Sequence, residues 1–229
     1  MTTTCPTRTT RAAALVRAAL TALPGLLLLA WIAPAMGMLL QGPRDLYDLT
    51  PAELEGSYAA ANLDTIWDWY AESVSTAADG STRVTAREYL VPLSDGKTFL
   101  GVRVPAARMD RAEAVLRQTG LWRSDPDNYF WDGSYLTVRG SIRPMDEETR
   151  ALYYDLLTGY YGLEEADLEN FPPLVLVDGT VDGLNGSTLT LLGLAGLFLV
   201  GLAGVQAARA LGLPARKTPP APPDTWQEP

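Results

Sequence analysis

Residues 188–208 read TLTLLGLAGLFLVGLAGVQAA, twenty-one positions without a charge and polar only at Thr188, Thr190 and Gln206. At about 1.5 Å of rise per residue, a helix of this length covers roughly 30 Å, the thickness of a bilayer's hydrocarbon core. The stretch predicts a transmembrane helix within residues 184–208. A second apolar run, residues 18–40, predicts another. That run also has features of a signal peptide, a basic leader and Ala33-Pro34-Ala35 as a small-residue cleavage site. Its apolar character continues through Leu40, which favours an uncleaved anchor. Outward from these spans the chain divides into an N-terminal tail (1–17), the first span (18–40), a central domain (41–183), the second span (184–208) and a proline-rich tail (209–229).

The central domain holds 12 of the 18 Lys+Arg and 25 of the 27 Asp+Glu, a net charge of −13. The remainder holds six basic and two acidic residues, +4, and Arg8, Arg11, Arg17, Arg209, Arg216 and Lys217 all flank the spans on the tail side. Short basic flanks are retained in the cytoplasm. The expectation is a cell-membrane protein with two spans, both termini cytoplasmic and the acidic domain extracytoplasmic; Arg44 is the one contrary charge. The only cysteine, Cys5, lies in the tail, so the central domain has no internal disulfide to draw on. Histidine is absent from the sequence, which removes the commonest metal ligand and the side chain best matched to proton transfer near neutral pH. The sequence thus points to no catalytic role, no metal and no cofactor.

Within the second span Gly193, Gly196, Gly201, Ala203, Gly204, Ala207 and Ala208 fall on about half of the helix circumference. Small residues on one side let helices approach closely. They predict packing of the two spans on each other, or between copies as a homo-oligomer. Neither span carries an ionisable residue, whereas pumps and ion pathways usually need some.

In the central domain, Thr50-Pro51-Ala52-Glu53 predicts a capped helical turn ending near Gly56. Residues 57–75, rich in aromatics, predict a long strand. Residues 83–93 and 98–104 predict a hairpin closed by Ser94-Asp95-Gly96-Lys97. Pro105 closes the hairpin and a helix follows, with Met109, Ala112, Leu116 and Thr119 on one side and Gly120 as its stop. Residues 135–142 predict a strand. Asp146 caps a helix to about Gly159, with Leu152, Leu156 and Tyr160 as its buried stripe. An acidic turn (164–170) leads to a last strand, 174–177. The expected fold is membrane-anchored α+β: two transmembrane helices flanking a five-stranded, mostly antiparallel OB-like barrel, or a small sheet, with two helices.

The phrases DLYDLTPAELEGSY, DTIWDWYAES, REYLVPL and LTVRGSIRPMDEETRALYYDLL resemble those of uncharacterised bacterial two-pass membrane proteins with a single extracytoplasmic β-rich domain. The resemblance is one of layout over nearly the whole chain. It implies location and topology, and it carries no activity, substrate or site residue.

Asp125, Asp127 and Asp132 surround an aromatic loop, but they lack the spacing of a calcium loop, and a solvated acidic loop accounts for them. Asp146, Glu147 and Glu148 suit a helix N-terminus. Trp67, Trp69, Tyr70, Trp122, Tyr129, Phe130 and Trp131 could stack on a ligand, although such residues more often fill a core. Within that set Tyr129, Phe130 and Trp131 are the candidate ligand or partner surface, because turn residues flank them. A polyanion needs a basic groove, so a domain at −13 argues against nucleic acid. The sequence therefore leads to a protein that contacts membrane lipid and displays an interaction domain to a protein or envelope partner. Two alternatives remain, a subunit of a larger transport or secretion complex and a hydrolase built on paired carboxylates.

Overall fold

A computed structural model describes residues 8–130 and 132–211, with side chains from Arg11 onward. Cys5, Trp131 and the proline-rich segment 219–223 lie outside the described residues. By internal contacts the chain separates into a helical unit, the residues up to Ile32 together with those from Thr190, and a sheet unit, Ala33–Leu189.

Two helices, α1 (Arg8–Gln41) and α4 (Gly186–Leu211), are long and apolar enough to cross a membrane. Their contact in the helical unit is set by glycine. A Cβ on Gly25 would stand 2.9 Å from the Leu199 Cβ and 3.0 Å from the Gly196 carbonyl oxygen; one on Gly196 would stand 2.8 Å from the Leu29 Cγ. Only a bare backbone fits at that crossing.

The main sheet has seven strands: β1 (Arg44–Asp45), β2 (Tyr58–Leu63), β3 (Asp68–Thr76), β4 (Thr82–Pro92), β5 (Phe99–Pro105), β6 (Leu136–Pro144) and β7 (Leu174–Asp178). Their spatial order is β1-β2-β6-β7-β5-β4-β3. The sheet is mixed: β1 and β2 are parallel, as are β5 and β7, and the other neighbours are antiparallel. Two short strands, β8 (Thr180–Val181) and β9 (Leu184–Asn185), pair separately.

The expected hairpin is β4–β5. Asp95 Oδ1 accepts from the amides of Lys97 (2.9 Å) and Thr98 (2.8 Å), and Gly96 takes the positive φ the turn requires. The expected long strand is two strands. Residues 64–67 divide β2 from β3, which lie five strand-to-strand steps apart in the sheet. At about 4.8 Å per step a flat sheet would put them roughly 24 Å apart, whereas the connecting residues reach at most about 18 Å. The sheet must therefore curl. It curls toward α2 (Met109–Ser124), because the connection runs on that side: Ile66 is buried in the core there, and its amide donates to the Thr119 hydroxyl at 3.2 Å.

The fold is α+β, but the expected OB-like barrel does not form. The curled sheet stays open between edge strands β1 and β3, and it has seven strands instead of five. The two added strands are β1 and the second half of the divided 57–75 stretch, and the main departure in strand order lies at β7. All five of its residues are buried, with Leu174 and Leu176 in the core beneath α2 and Val175 and Val177 in a second core on the opposite face. A strand covered on both faces belongs inside a sheet. It enters between β5 and β6 where Gly140 leaves room, since a Cβ there would collide with the Val177 carbonyl. α2 also runs past Gly120, which is exposed, and ends at Ser124. Its buried residues are Ala112, Val115, Gln118 and Thr119.

Candidate functional site

The second face of the sheet carries α3 (Glu147–Asp155). Asp146 caps it as the sequence leads one to expect: its Oδ1 accepts from the Thr149 amide at 2.9 Å, and that bond holds the carboxyl below its ordinary pKa. The buried stripe, however, is offset from the one expected. Thr149, Tyr153 and Leu157 face the sheet, while Leu152 and Tyr160 are 44% and 75% exposed and Leu156 is half-buried. Residues 156–160 form a π turn, in which the Tyr161 amide donates to the Leu156 carbonyl at 3.1 Å. The wider turn keeps residues four apart closer to one line than α geometry does, so Tyr161 continues the stripe of Tyr153 and Leu157. Its hydroxyl donates to Asp68 Oδ2 at 2.8 Å.

The displaced apolar residues are not scattered. Leu152, Leu156, Gly159 and Tyr160 form one side of a groove of about 500 Å³, together with Asp155, Trp69 and Tyr70. Trp69 is itself 43% exposed, and the Arg87 guanidinium stacks on it at 4.7 Å from the ring centre. Arg87 is held in turn by Glu72 and Glu113.

Beneath the groove lies a buried polar cluster. Glu88 is 1% exposed, and Arg103 donates from Nε to its Oε1 at 2.5 Å. Tyr70 and Tyr153 meet edge to face with ring centres 5.1 Å apart. The Tyr70 hydroxyl fills the space above Gly101, where any Cβ would collide with it. Among the described residues Glu88 Oε2 and the hydroxyls of Tyr70 and Tyr153 have no hydrogen-bond partner. Tyr70 lies close enough to Glu88 to feel its charge without forming a bond of ordinary geometry. Burial first, and the Glu88 charge second, push its phenol well above the usual value. Burial does the same to Tyr153. Both stay neutral across physiological pH.

Beside the groove, Trp67, Phe99, Tyr161 and Phe171 enclose an aromatic cavity of about 210 Å³ with Leu90, Leu157 and Leu163. Phe99 and Phe171 stack at 4.8 Å, and Arg123 sits over Trp67 at 4.2 Å.

Of the candidate aromatic surface, Phe130 is 88% exposed and Tyr129 half-buried; Trp131 is outside the described residues. Trp122 is 42% exposed near the C-terminal end of α2, and Tyr129 and Phe130 follow that helix. Trp122, Tyr129 and Phe130 do not line the groove. In the helical unit Gly193 and Gly196 face α1, and Ala203 is buried. Gly201 and Gly204 have open space at Cβ, and Ala207 and Ala208 are half-buried. Gly25, the α1 half of the crossing, was missed in a run of leucines where a lone glycine was the available signal. Leu152 and Tyr160 were missed as groove residues because a stripe of period four looks buried wherever its phase is set. No group of three or more acids, cysteines or histidines disposed to hold a metal occurs among the described residues.

These features define an α+β protein with a curled mixed sheet and two helices of membrane-spanning length. Residues 8–206 match a family described as a domain of unknown function (DUF8577), and the chain belongs to that family. No curated protein and no solved structure matches it.

Proposed function

We propose that the chain is a two-span membrane protein that displays its sheet unit outside the cytoplasm and binds a partner protein of the envelope through the groove between β3 and α3. The observation that carries this reading is the groove itself. Trp69, Leu152 and Tyr160 hold large apolar surfaces in solvent around one concavity, and aromatic and apolar anchors in such a setting are the usual centres of recognition. A π turn, often a mark of functional sites, supplies one wall. Asp155 is the one carboxylate in the lining, and the domain around it is strongly acidic. The fitting partner segment is apolar with a basic residue. Basic flanks on the tail side of both helices support the orientation.

Two experiments test the reading. Single cysteines at Ser81 and Thr218, introduced after Cys5 is replaced, are treated in intact cells with an impermeant reagent. Labelling at 81 alone is expected, and labelling at 218 alone inverts the orientation. A photo-crosslinking residue at Leu152 should then give a discrete protein adduct that Trp69→Ala or Tyr160→Ser abolishes. Tyr160 is suited to this because its described ring contact is with neighbouring Tyr161, so the change spares the core. An adduct indifferent to both substitutions refutes groove binding.

A further inference from the structure

The aromatic cavity of the sheet unit shares no lining residue with the groove. Leu90 and Leu157, both fully buried, close its floor, while Trp67, Phe99, Tyr161 and Phe171 are half-buried and leave it a mouth. Phe99 and Phe171 lie within 5° of parallel with their faces on each other, and Trp67 meets Phe99 edge to face with ring centres 5.8 Å apart. The rings are thus held in the wall instead of collapsing into the space. An apolar space left empty forfeits the dispersion contacts of the groups around it. At about 210 Å³ it exceeds the roughly 150 Å³ that admits a benzene ring, which leaves room for a short substituent. One side of the wall is polar. The Tyr161 hydroxyl donates to Asp68 Oδ2, and Asp68 Oδ1 accepts from the Trp69 amide at 2.8 Å, so both carboxylate oxygens are engaged. Burial first, then Asp68, push the Tyr161 phenol up to about 12; Arg123 opposes that rise, so its guanidinium stands near the same hydroxyl. Arg123 is held over the Trp67 ring and donates to the Trp67 carbonyl at 3.4 Å. It is exposed and makes no ion pair among the described residues, in a domain of net charge −13. Most of its N–H donors remain for a ligand.

We propose that this cavity binds a small aromatic carboxylate, a single ring bearing a carboxyl group on a short arm. The ring enters among Trp67, Phe99, Tyr161 and Phe171, and the carboxylate at the mouth accepts from the Arg123 guanidinium. The apolar floor gives hydroxyl and phosphate groups no partners, which excludes sugars and nucleotides. Asp68 beside the mouth disfavours a second negative charge on the ligand. The inference depends neither on the groove nor on membrane insertion.

The test is fluorine NMR of para-fluorophenylacetate titrated with the full chain in a neutral detergent, with para-fluorophenylacetamide as the uncharged counterpart of the same shape. The acid should bind roughly tenfold more tightly than the amide, the worth of one charge-assisted hydrogen bond. Arg123→Gln, on the exposed surface, should remove that preference and leave binding of the amide unchanged. Leu163→Trp fills the cavity from its half-buried rim and should abolish binding of both probes. The β-sheet circular dichroism signal reports that each variant is folded, and Leu163→Phe replaces Leu163→Trp if the larger ring is not accommodated. Absence of binding by the natural chain, equal binding of acid and amide, a preference that survives Arg123→Gln, or binding retained by a folded cavity-filling variant each overturns the proposal.

Discussion

Arg103→Met would leave Glu88 buried at 1% exposure without its cation. Arg103 also lies 3.7 Å from Asp146, but that carboxylate is 60% exposed, and a screened contact of this kind contributes little. Nearly all the cost therefore falls on Glu88. Removing one partner of a buried pair costs about 3–5 kcal/mol. For a unit of this size that is a fall in Tm of roughly 6–20 °C. The reverse truncation, Glu88→Leu, should cost less, because the Arg103 side chain is 22% exposed and its long stem can carry the head to water. The pair Glu88→Leu/Arg103→Met puts apolar side chains in both places and should return to within about 1 kcal/mol of the natural chain. Thermal unfolding of the full chain in detergent, followed by the β-sheet circular dichroism signal, measures all four proteins. If Arg103→Met unfolds within 1 °C of the natural chain, or if the double variant is as unstable as that single one, Glu88 is not held by Arg103 as described.

Two further outcomes follow from local geometry. Gly196→Leu should break the crossing of α1 and α4 at a cost of about 1–3 kcal/mol, since a Cβ there already meets Leu29, while Gly201→Leu, with open space at Cβ, should be tolerated. Crosslinking yield of an Ile32/Gly193 cysteine pair in membranes distinguishes them, and equal yields would contradict the crossing. Glu53 gives a pH dependence of definite sign. The Thr50 hydroxyl first, then Arg44, hold its carboxyl at about 2 against an ordinary 4.5. A depressed folded-state pKa contributes stability above the unfolded value and loses it as pH falls from 4.5 toward 2. The Tm difference between the natural chain and Glu53→Gln should therefore close over that window; a constant difference would show that the carboxylate charge is not involved.

Much of the fold was legible because local chemistry agreed with the final structure. The two apolar runs, the Asp-Gly hairpin, the Thr50 turn and the Asp146 cap each follow from residues within a few positions of one another. Strand order did not follow, because it depends on contacts far apart in sequence. Nothing local in residues 174–178 says that they run parallel to β5 and fill the middle of the sheet. The break at residues 64–67 was hidden for a similar reason: Leu63 and Ile66 look like one apolar pattern, and only the strand order, which puts β2 and β3 five steps apart, shows that the chain changes strand between them. The barrel expectation came from the order of elements, five strands with a helix between the third and fourth, and that order serves an open α+β sheet equally well.

The groove depends on the register of α3, and that register is a competition between two stripes. Leu152, Leu156 and Tyr160 could have faced the sheet; instead Tyr153 and Leu157 do, and both are fully buried. Tyr153 prevails because its ring meets Tyr70 edge to face and fills the space beneath the helix, whereas a leucine there would leave a void. The hydroxyls of Tyr70 and Tyr153, which have no partner of ordinary geometry among the described residues, reduce this gain, and so does the Glu88 oxygen left the same way. A core built for stability alone would place phenylalanine at both tyrosines. Tyr70→Phe and Tyr153→Phe should therefore leave stability unchanged or raise it. If either weakens the crosslink at Leu152 while the protein stays folded, that hydroxyl acts through the groove, and the polar floor belongs to recognition as well as to packing.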